Sequence, residues 1–480
     1  MTYYMIAGAI ILLLCIGFSK LLYRFGVPSL LIFIVLGMLA GSDGIGGIYF
    51  DDYALAQMLS SIALIFIMFF GGFSTNWKAA KPVAVPAILL SSLGTALTAL
   101  LIGLFCRFVL HFPLLESLLL GSVVASTDAA SVFSILRSRK LNLKGGMASL
   151  LEIESGSNDP FAFMLTVIVL TLMSGEDAGG SVLLLLRQIG FGLLIGALLG
   201  LGAIFLLRHV RFEVEAFYPL FVSAVAVLCY ALCDAAGGNG FLCVYVAGIL
   251  LGNGKIPHKR NLIHFLDGVS WMMQILLFFA LGLLAFPSRL PAVAGLSIVI
   301  SLFMIFIARP AAVFAILSWF KSPVRQQALV SWVGIRGAAS IVFAIYAVTD
   351  RAALQTDIFH IVFFIVLFSV LVQGTLMPAV AKKLDLVEKE ASVLKTFNDY
   401  QDESYMELAE TKLRKDHPWC GLSLMDTDLP DDILVVLIKR GKTSVVPRGS
   451  TILCAGDILV LSGADEDALR ALASPKRPPH

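Results

Sequence analysis

Residues 150–163 read LLEIESGSNDPFAF and place three carboxylates, Glu152, Glu154 and Asp159, inside an apolar run, 147–173, long enough to cross a bilayer. Charges at that depth are expensive and usually face a cavity, a partner or a transported solute. On a helix turning about 100° per residue, Glu152, Ser155 and Asp159 share one face while Glu154 points well away from Asp159, so their roles should differ. Pro160 has no amide proton, which frees the carbonyl of Gly156 either to kink the helix or to offer an oxygen to a cation.

Outward from this segment, the other intramembrane polar groups gather in two places. Residues 122–133, SVVASTDAASVF, carry Asp128, and residues 333–344, VGIRGAASIVFA, carry Arg336. The small and polar residues 126–131 suit a segment that unwinds in mid-membrane, where exposed backbone is tolerated only beside protein or water. Both segments contain Ala-Ala-Ser, 209 positions apart from Ala129 to Ala338. Matching interrupted segments that enter the membrane in opposite senses point to an inverted-repeat transporter with its site where they cross. Asp128 and Asp159 outnumber the intramembrane cations and sit among hydroxyls, so they read as functional. Glu154 reads as a structural carboxylate with Arg336 as its partner. Glu152 is a funnel charge or a solvated helix end. Asp234 and Asp267 lie at span ends and read as wetted, and Gln274 and His360 as satisfied core polar groups.

The whole chain fits this setting. Of 480 residues, 58% are hydrophobic and 14% charged, which excludes a single water-soluble globule. A net charge of +2 gives no footprint for nucleic acid. Thirteen apolar runs are expected as spans: 5–22, 27–40, 54–73, 87–106, 118–136, 147–173, 182–207, 217–233, 241–252, 269–286, 293–320, 328–348 and 358–380. The first has no basic residue ahead of it and no small-residue cleavage site, so it is expected to stay as a span. One set of alternate connections carries fifteen Lys and Arg residues and the other four, Arg107, Arg187, Arg289 and Arg351. That asymmetry puts the amino terminus outside and the tail in the cytoplasm. The seven cysteines include no C-x-x-C pair, so neither zinc nor disulfides are indicated, and no cofactor is implied.

Residues 384–480 hold 29 of the 68 charged residues. Within them, 384–404 read as a polar linker and 405–480 as a small α+β module, with short strands in ILVVLIKR, TSVVPRG and TILCAGDILVLSG and a closing helix, ADEDALRALA. The expected fold is therefore all-α and polytopic over residues 1–383, with spans five and twelve broken and crossing, followed by a small cytoplasmic α+β domain.

The strings STDAAS, ESGSNDP and GIRGAAS, in this order and on these spans, resemble the monovalent cation:proton antiporters of the NhaP type over most of residues 1–383. The resemblance implies a homodimer in membrane lipid, each protomer with a dimerisation domain and a mobile six-helix core. It implies that Asp159 binds either cation or proton, with Asp128, the Ser155 hydroxyl and the Thr127 carbonyl as further ligands of a monovalent cation. Asn158 would hold the crossing, and Glu154 would pair with Arg336. Many relatives carry an acidic residue just before the Gly-Gly of span three; here FFGGFS has Phe70 at that place, so no ligand is carried over from there. Residues 429–463 resemble the carboxy-terminal half of the regulator-of-potassium-conductance (TrkA-C) module. With no G-x-G-x-x-G before them, the nucleotide-binding half is absent, and regulation by a small molecule at the tail is implied.

A carboxylate that cannot stay both charged and empty in a low-dielectric cavity must carry either the cation or a proton, and exchange follows without ATP. Asn158 stands where a second titratable group could have been, so one proton per cation, and electroneutral transport, is the simplest stoichiometry. The tail's resemblance favours K+ over Na+. A channel would need a repeated filter such as T-V-G-Y-G, and an intramembrane aspartyl protease a G-x-G-D string; neither is present. An ion-coupled solute symporter on the same inverted-repeat plan is the alternative.

Overall fold

The computed structural model describes residues 9, 13–15, 17, 29–139, 141–175, 178–210, 212–350, 354–387, 407–413, 417–430, 433–441 and 443–463. Most of the expected first span, the linker beyond residue 387 and the closing acidic helix, 464–473, lie outside these residues. The chain forms two compact units, Met1–Phe397 and Asn398–His480.

The first unit is helical. Its described helices are α1 (Ser29–Ala40), α2 (Tyr53–Ser74), α3 (Trp77–Phe108), α4 (Leu114–Val124), α5 (Ala129–Ser138), α6 (Met147–Met173) and α7 (Ala178–His209). They continue with α8 (Phe217–Ala235), α9 (Gly240–Asn253), α10 (Lys259–Leu284), α11 (Pro287–Phe320), α12 (Val324–Trp332), α13 (Ala338–Thr349) and α14 (Ile358–Lys383). Eight are long and apolar enough to cross a membrane among the described residues; α4, α9, α13 and residues Leu30–Ala40 of α1 are shorter apolar helices. Single π-helical turns interrupt α3 at Leu90–Gly94, α11 at Met304–Ala308 and α14 at Val370–Gly374. Pro160 does not break α6, which runs on to Met173.

Between helices in lipid there is little hydrophobic drive, so close approach of small residues and satisfied polar groups carry the packing. A Cβ on Gly37 of α1 would stand 2.3 Å from the carbonyl of Phe279 on α10, and one on Gly252 of α9 would stand 2.0 Å from that of Phe73 on α2. Intrahelical hydroxyls return their protons to the preceding turn, as Thr98 does to Gly94 at 2.7 Å and Thr166 to Ala162 at 2.8 Å.

The second unit holds a four-stranded antiparallel sheet in the order β1-β4-β2-β3, from β1 (Glu407–Lys412), β2 (Ile433–Arg440), β3 (Thr443–Val445) and β4 (Ile458–Gly463). Ile433, Val435 and Ile438 of β2 pack with Leu459 and Leu461 of β4 and with Trp419. The Arg440 guanidinium donates to the buried Asp457 carboxylate at 2.7 Å, ties the end of β2 to the turn before β4 and holds that carboxyl below its ordinary range.

Candidate functional site

A helix broken inside the membrane strands the last carbonyls of one half and the first amides of the next. Two such breaks, Ala125–Asp128 between α4 and α5 and Val333–Gly337 between α12 and α13, satisfy each other. Arg336, fully buried in the second break, donates Nη1 to the carbonyls of Ala125 at 2.6 Å and Ser126 at 2.8 Å, the orphan acceptors ending α4. In return the Asp128 amide donates to the Ile335 carbonyl at 2.7 Å. The end of α12 is held by the π turn of α14, where Gln373 Nε2 donates to the Trp332 carbonyl at 2.8 Å. The Arg336 amide donates to Ser369 Oγ at 3.0 Å in the turn preceding it. Gly337 is glycine because Asp128 lies against it: a Cβ there would be 2.4 Å from the Asp128 Cβ.

The first break is laid against α6. Ser155 Oγ donates to the Thr127 carbonyl at 2.6 Å, and Asn158 Nδ2 donates to the Thr127 hydroxyl and, at 3.2 Å, to Glu154 Oε1. The Ser126 hydroxyl donates to Asp159 Oδ1. Asp128 caps α5, accepting from the Ser131 amide at 3.4 Å and from the Ser131 hydroxyl. Glu152, Gly156 and Asp159 are half-buried, whereas Ile153, Glu154, Ser155, Ser157 and Asn158 are buried, so one stripe of α6 is reachable by solvent. Farther along the helix a cavity of about 340 Å³ opens between α2, α6 and α13, lined by residues including Gln57, Phe163, Thr171, Tyr346 and Asp350. Phe163, one turn after Asp159, packs edge-on to Tyr346 at 5.2 Å and to Phe241 at 5.0 Å.

The structure thus gathers Asp159, Asp128, Ser155, Thr127 and Asn158 at the crossing, with Glu152 farther along the open stripe. The donors are carboxylate, hydroxyl and carbonyl oxygens, which suit a hard cation. Among the described residues, no group of three His, Cys, Asp or Glu side chains forms a metal site. Phe70 is buried and brings no oxygen from α2.

One expected pairing is corrected. Glu154 does not bond Arg336; its Oε1 accepts from Arg309 Nη2 at 2.9 Å, both side chains 2% exposed. Arg336 instead gives Nη1 to the carbonyls of the first break and Nε to the Met304 sulfur at 3.1 Å. Arg309 was missed because span eleven was read as a plain apolar run; it follows the π turn of α11, and it is the single charge within 293–320. Ser126 was read only as one of the small and polar residues of a segment that unwinds in mid-membrane. Glu116, 4% exposed at the start of α4, also went unremarked; it accepts from the amides of Gln355 at 2.8 Å and Thr356 at 3.1 Å and pins the approach to α14.

Residues 9–383 match the family described as sodium/hydrogen exchanger, transmembrane, and residues 408–474 match the TrkA-C domain. The chain is 36% identical over 480 residues to the K(+)/H(+) antiporter NhaP2 of Shewanella sp. (strain ANA-3), covering 98% of this chain and 83% of that protein. It is 36% identical over 448 residues to the K(+)/H(+) antiporter NhaP of Alkalimonas amylolytica, covering 91% and 77%. The fold is similar to that of the sodium proton antiporter MjNhaP1 from Methanocaldococcus jannaschii, with a TM-score of 0.66, 24% identity and coverage of 78% of this chain and 99% of that one.

Proposed function

The chain belongs to the sodium/hydrogen exchanger family of cation:proton antiporters, secondary transporters and not enzymes, and from that premise we propose that it exchanges K+, in preference to Na+, for H+. The observation that carries this reading is the placement of Asp159 on the solvent-reachable stripe of α6, directly against the α4–α5 break. Asp159 takes cation and proton in turn. Asp128, Ser155 and the Thr127 carbonyl complete the cation's shell, and Asn158, Glu154 and Arg336 hold the crossing, while Glu152 draws cations toward it. The preference for K+ is supported by the names of the two relatives.

The proposal extends to the finer architecture. Thirteen spans form an inverted repeat whose crossing elements are α4–α5 and α12–α13, and the site is exposed alternately to the two sides of a bacterial plasma membrane. The protein is a homodimer with its amino terminus outside and its tail in the cytoplasm, where a small molecule regulates it. With one titratable group exchanging, turnover is one to one and electroneutral.

Adding K+ to inverted vesicles loaded with protons should dequench a pH-sensitive dye, with a smaller response to Na+, and Asp159→Asn should abolish both responses. Exchange that survives in Asp159→Asn removes the proposal.

A further inference from the structure

We propose that Ser126 supplies an oxygen ligand to the transported cation and so sets the affinity for it; this rests on the reading of Asp159 as the cation carboxylate. Three observations meet at this residue. Its side chain is buried, 1% exposed, and its hydroxyl proton is given to Asp159 Oδ1, so Ser126 Oγ lies within a cation's coordination radius of that carboxylate. Its position is fixed from behind, because Arg336 Nη1 holds its carbonyl at 2.8 Å. The residue after it, Thr127, is held to α6 by Ser155 and Asn158, which fixes the break carrying Ser126 against the helix carrying Asp159.

The chemistry of a hydroxyl makes this usable. It has one proton and two lone pairs and can rotate about its C–O bond. With Asp159 protonated, the Ser126 O–H donates to the carboxyl oxygen that carries no proton. When a cation arrives it takes the carboxylate oxygen for itself; the hydroxyl turns its proton away and presents a lone pair to the ion. Ser155 plays a different part: its proton goes to the Thr127 carbonyl at 2.6 Å, which leaves lone pairs for the ion but no proton for Asp159. Among the described residues, the Ser126 hydroxyl is the one hydrogen-bonded to the Asp159 side chain.

The test replaces oxygen by carbon or by sulfur at this position in the full chain, in inverted vesicles. Ser126→Ala should raise the KM for K+ by about fivefold or more while the maximal rate holds, the pattern of lost cation binding. Ser126→Cys, nearly isosteric and so a safeguard if the alanine variant folds poorly, offers a soft sulfur, which disfavours a hard ion and favours a polarisable one of the same charge. Measured with K+ and Tl+ in parallel, it should raise the KM for K+ and lower the ratio of the Tl+ to the K+ KM by about tenfold. An unchanged ratio, or a lower KM for K+ in Ser126→Ala, overturns the proposal and leaves Ser126 as a prop for Asp159. Asp159→Asn, run alongside, separates the two ideas: if that variant still exchanges, the reading of Asp159 fails first, whatever the serine variants do.

Discussion

The ion pair between Glu154 and Arg309 is buried at the crossing, for both side chains are 2% exposed and one carboxylate oxygen serves Arg309 at 2.9 Å and Asn158 at 3.2 Å. Breaking a buried pair from one side leaves an uncompensated charge and costs about 3–5 kcal/mol, while replacing both partners by apolar residues of similar volume is often neutral. Glu154→Gln keeps the oxygen that Asn158 uses but strands the guanidinium, so it should lower the thermal midpoint of the purified protein by several degrees. Glu154→Leu with Arg309→Met should recover much of that loss in stability, though not the support for Asn158 and hence not full exchange. A double variant no more stable than the single one would show that the pair is not acting as an isolated couple. Residue type and spacing singled out Asp128 and Asp159 and put Ser155 on the face of Asp159, whereas Asn158 was singled out by the resemblance. The partner of Glu154 was not legible: two arginines were available, and which one reaches it depends on a π turn that shifts the face of α11.

At the scale of elements the breaks were foreshadowed, since small and hydroxylated residues replace the apolar run at 126–131 and glycines flank Arg336. Their mutual repair was hidden, because a guanidinium that satisfies carbonyls 210 and 211 positions away leaves no local pattern. The same holds for Gly337, whose missing side chain makes room for the Asp128 carboxylate, its Oδ2 2.6 Å from where a Cβ would stand. Gly337 precedes α13 with an extended backbone that alanine can also adopt. Gly337→Ala should nevertheless abolish exchange while the protein still inserts and purifies, because the added methyl displaces Asp128 without touching the lipid-facing helices. Dye dequenching, with the yield of folded protein as control, reads the difference; full exchange in this variant would mean that Asp128 need not sit against the second break.

For the molecule as a whole, composition divides the chain after residue 383, while the structure divides it into two units between Phe397 and Asn398. Strands β2, β3 and β4 fall within the three stretches read as strands, but the sheet order, β1-β4-β2-β3, was not legible, because it is set by which edges pair and not by sequence neighbours. Orientation in the membrane is a different kind of inference, resting on fifteen basic residues against four in alternate connections, and the cysteines allow it to be tested without adding a label site. Cys15, Cys106, Cys229, Cys233 and Cys243 are buried in the helical unit, Cys420 is half-buried in the tail and Cys454 is exposed beside β4. A thiol reacts with a reagent that reaches it, so a membrane-impermeant maleimide should modify Cys454 rapidly in inverted vesicles, Cys420 slowly, and neither in right-side-out vesicles. Cys454→Ser should remove the fast phase and leave exchange intact. Fast labelling of Cys454 from the outer side would reverse the assignment of every connection at once, and with it the direction in which Asp159 is taken to load its cation and release its proton.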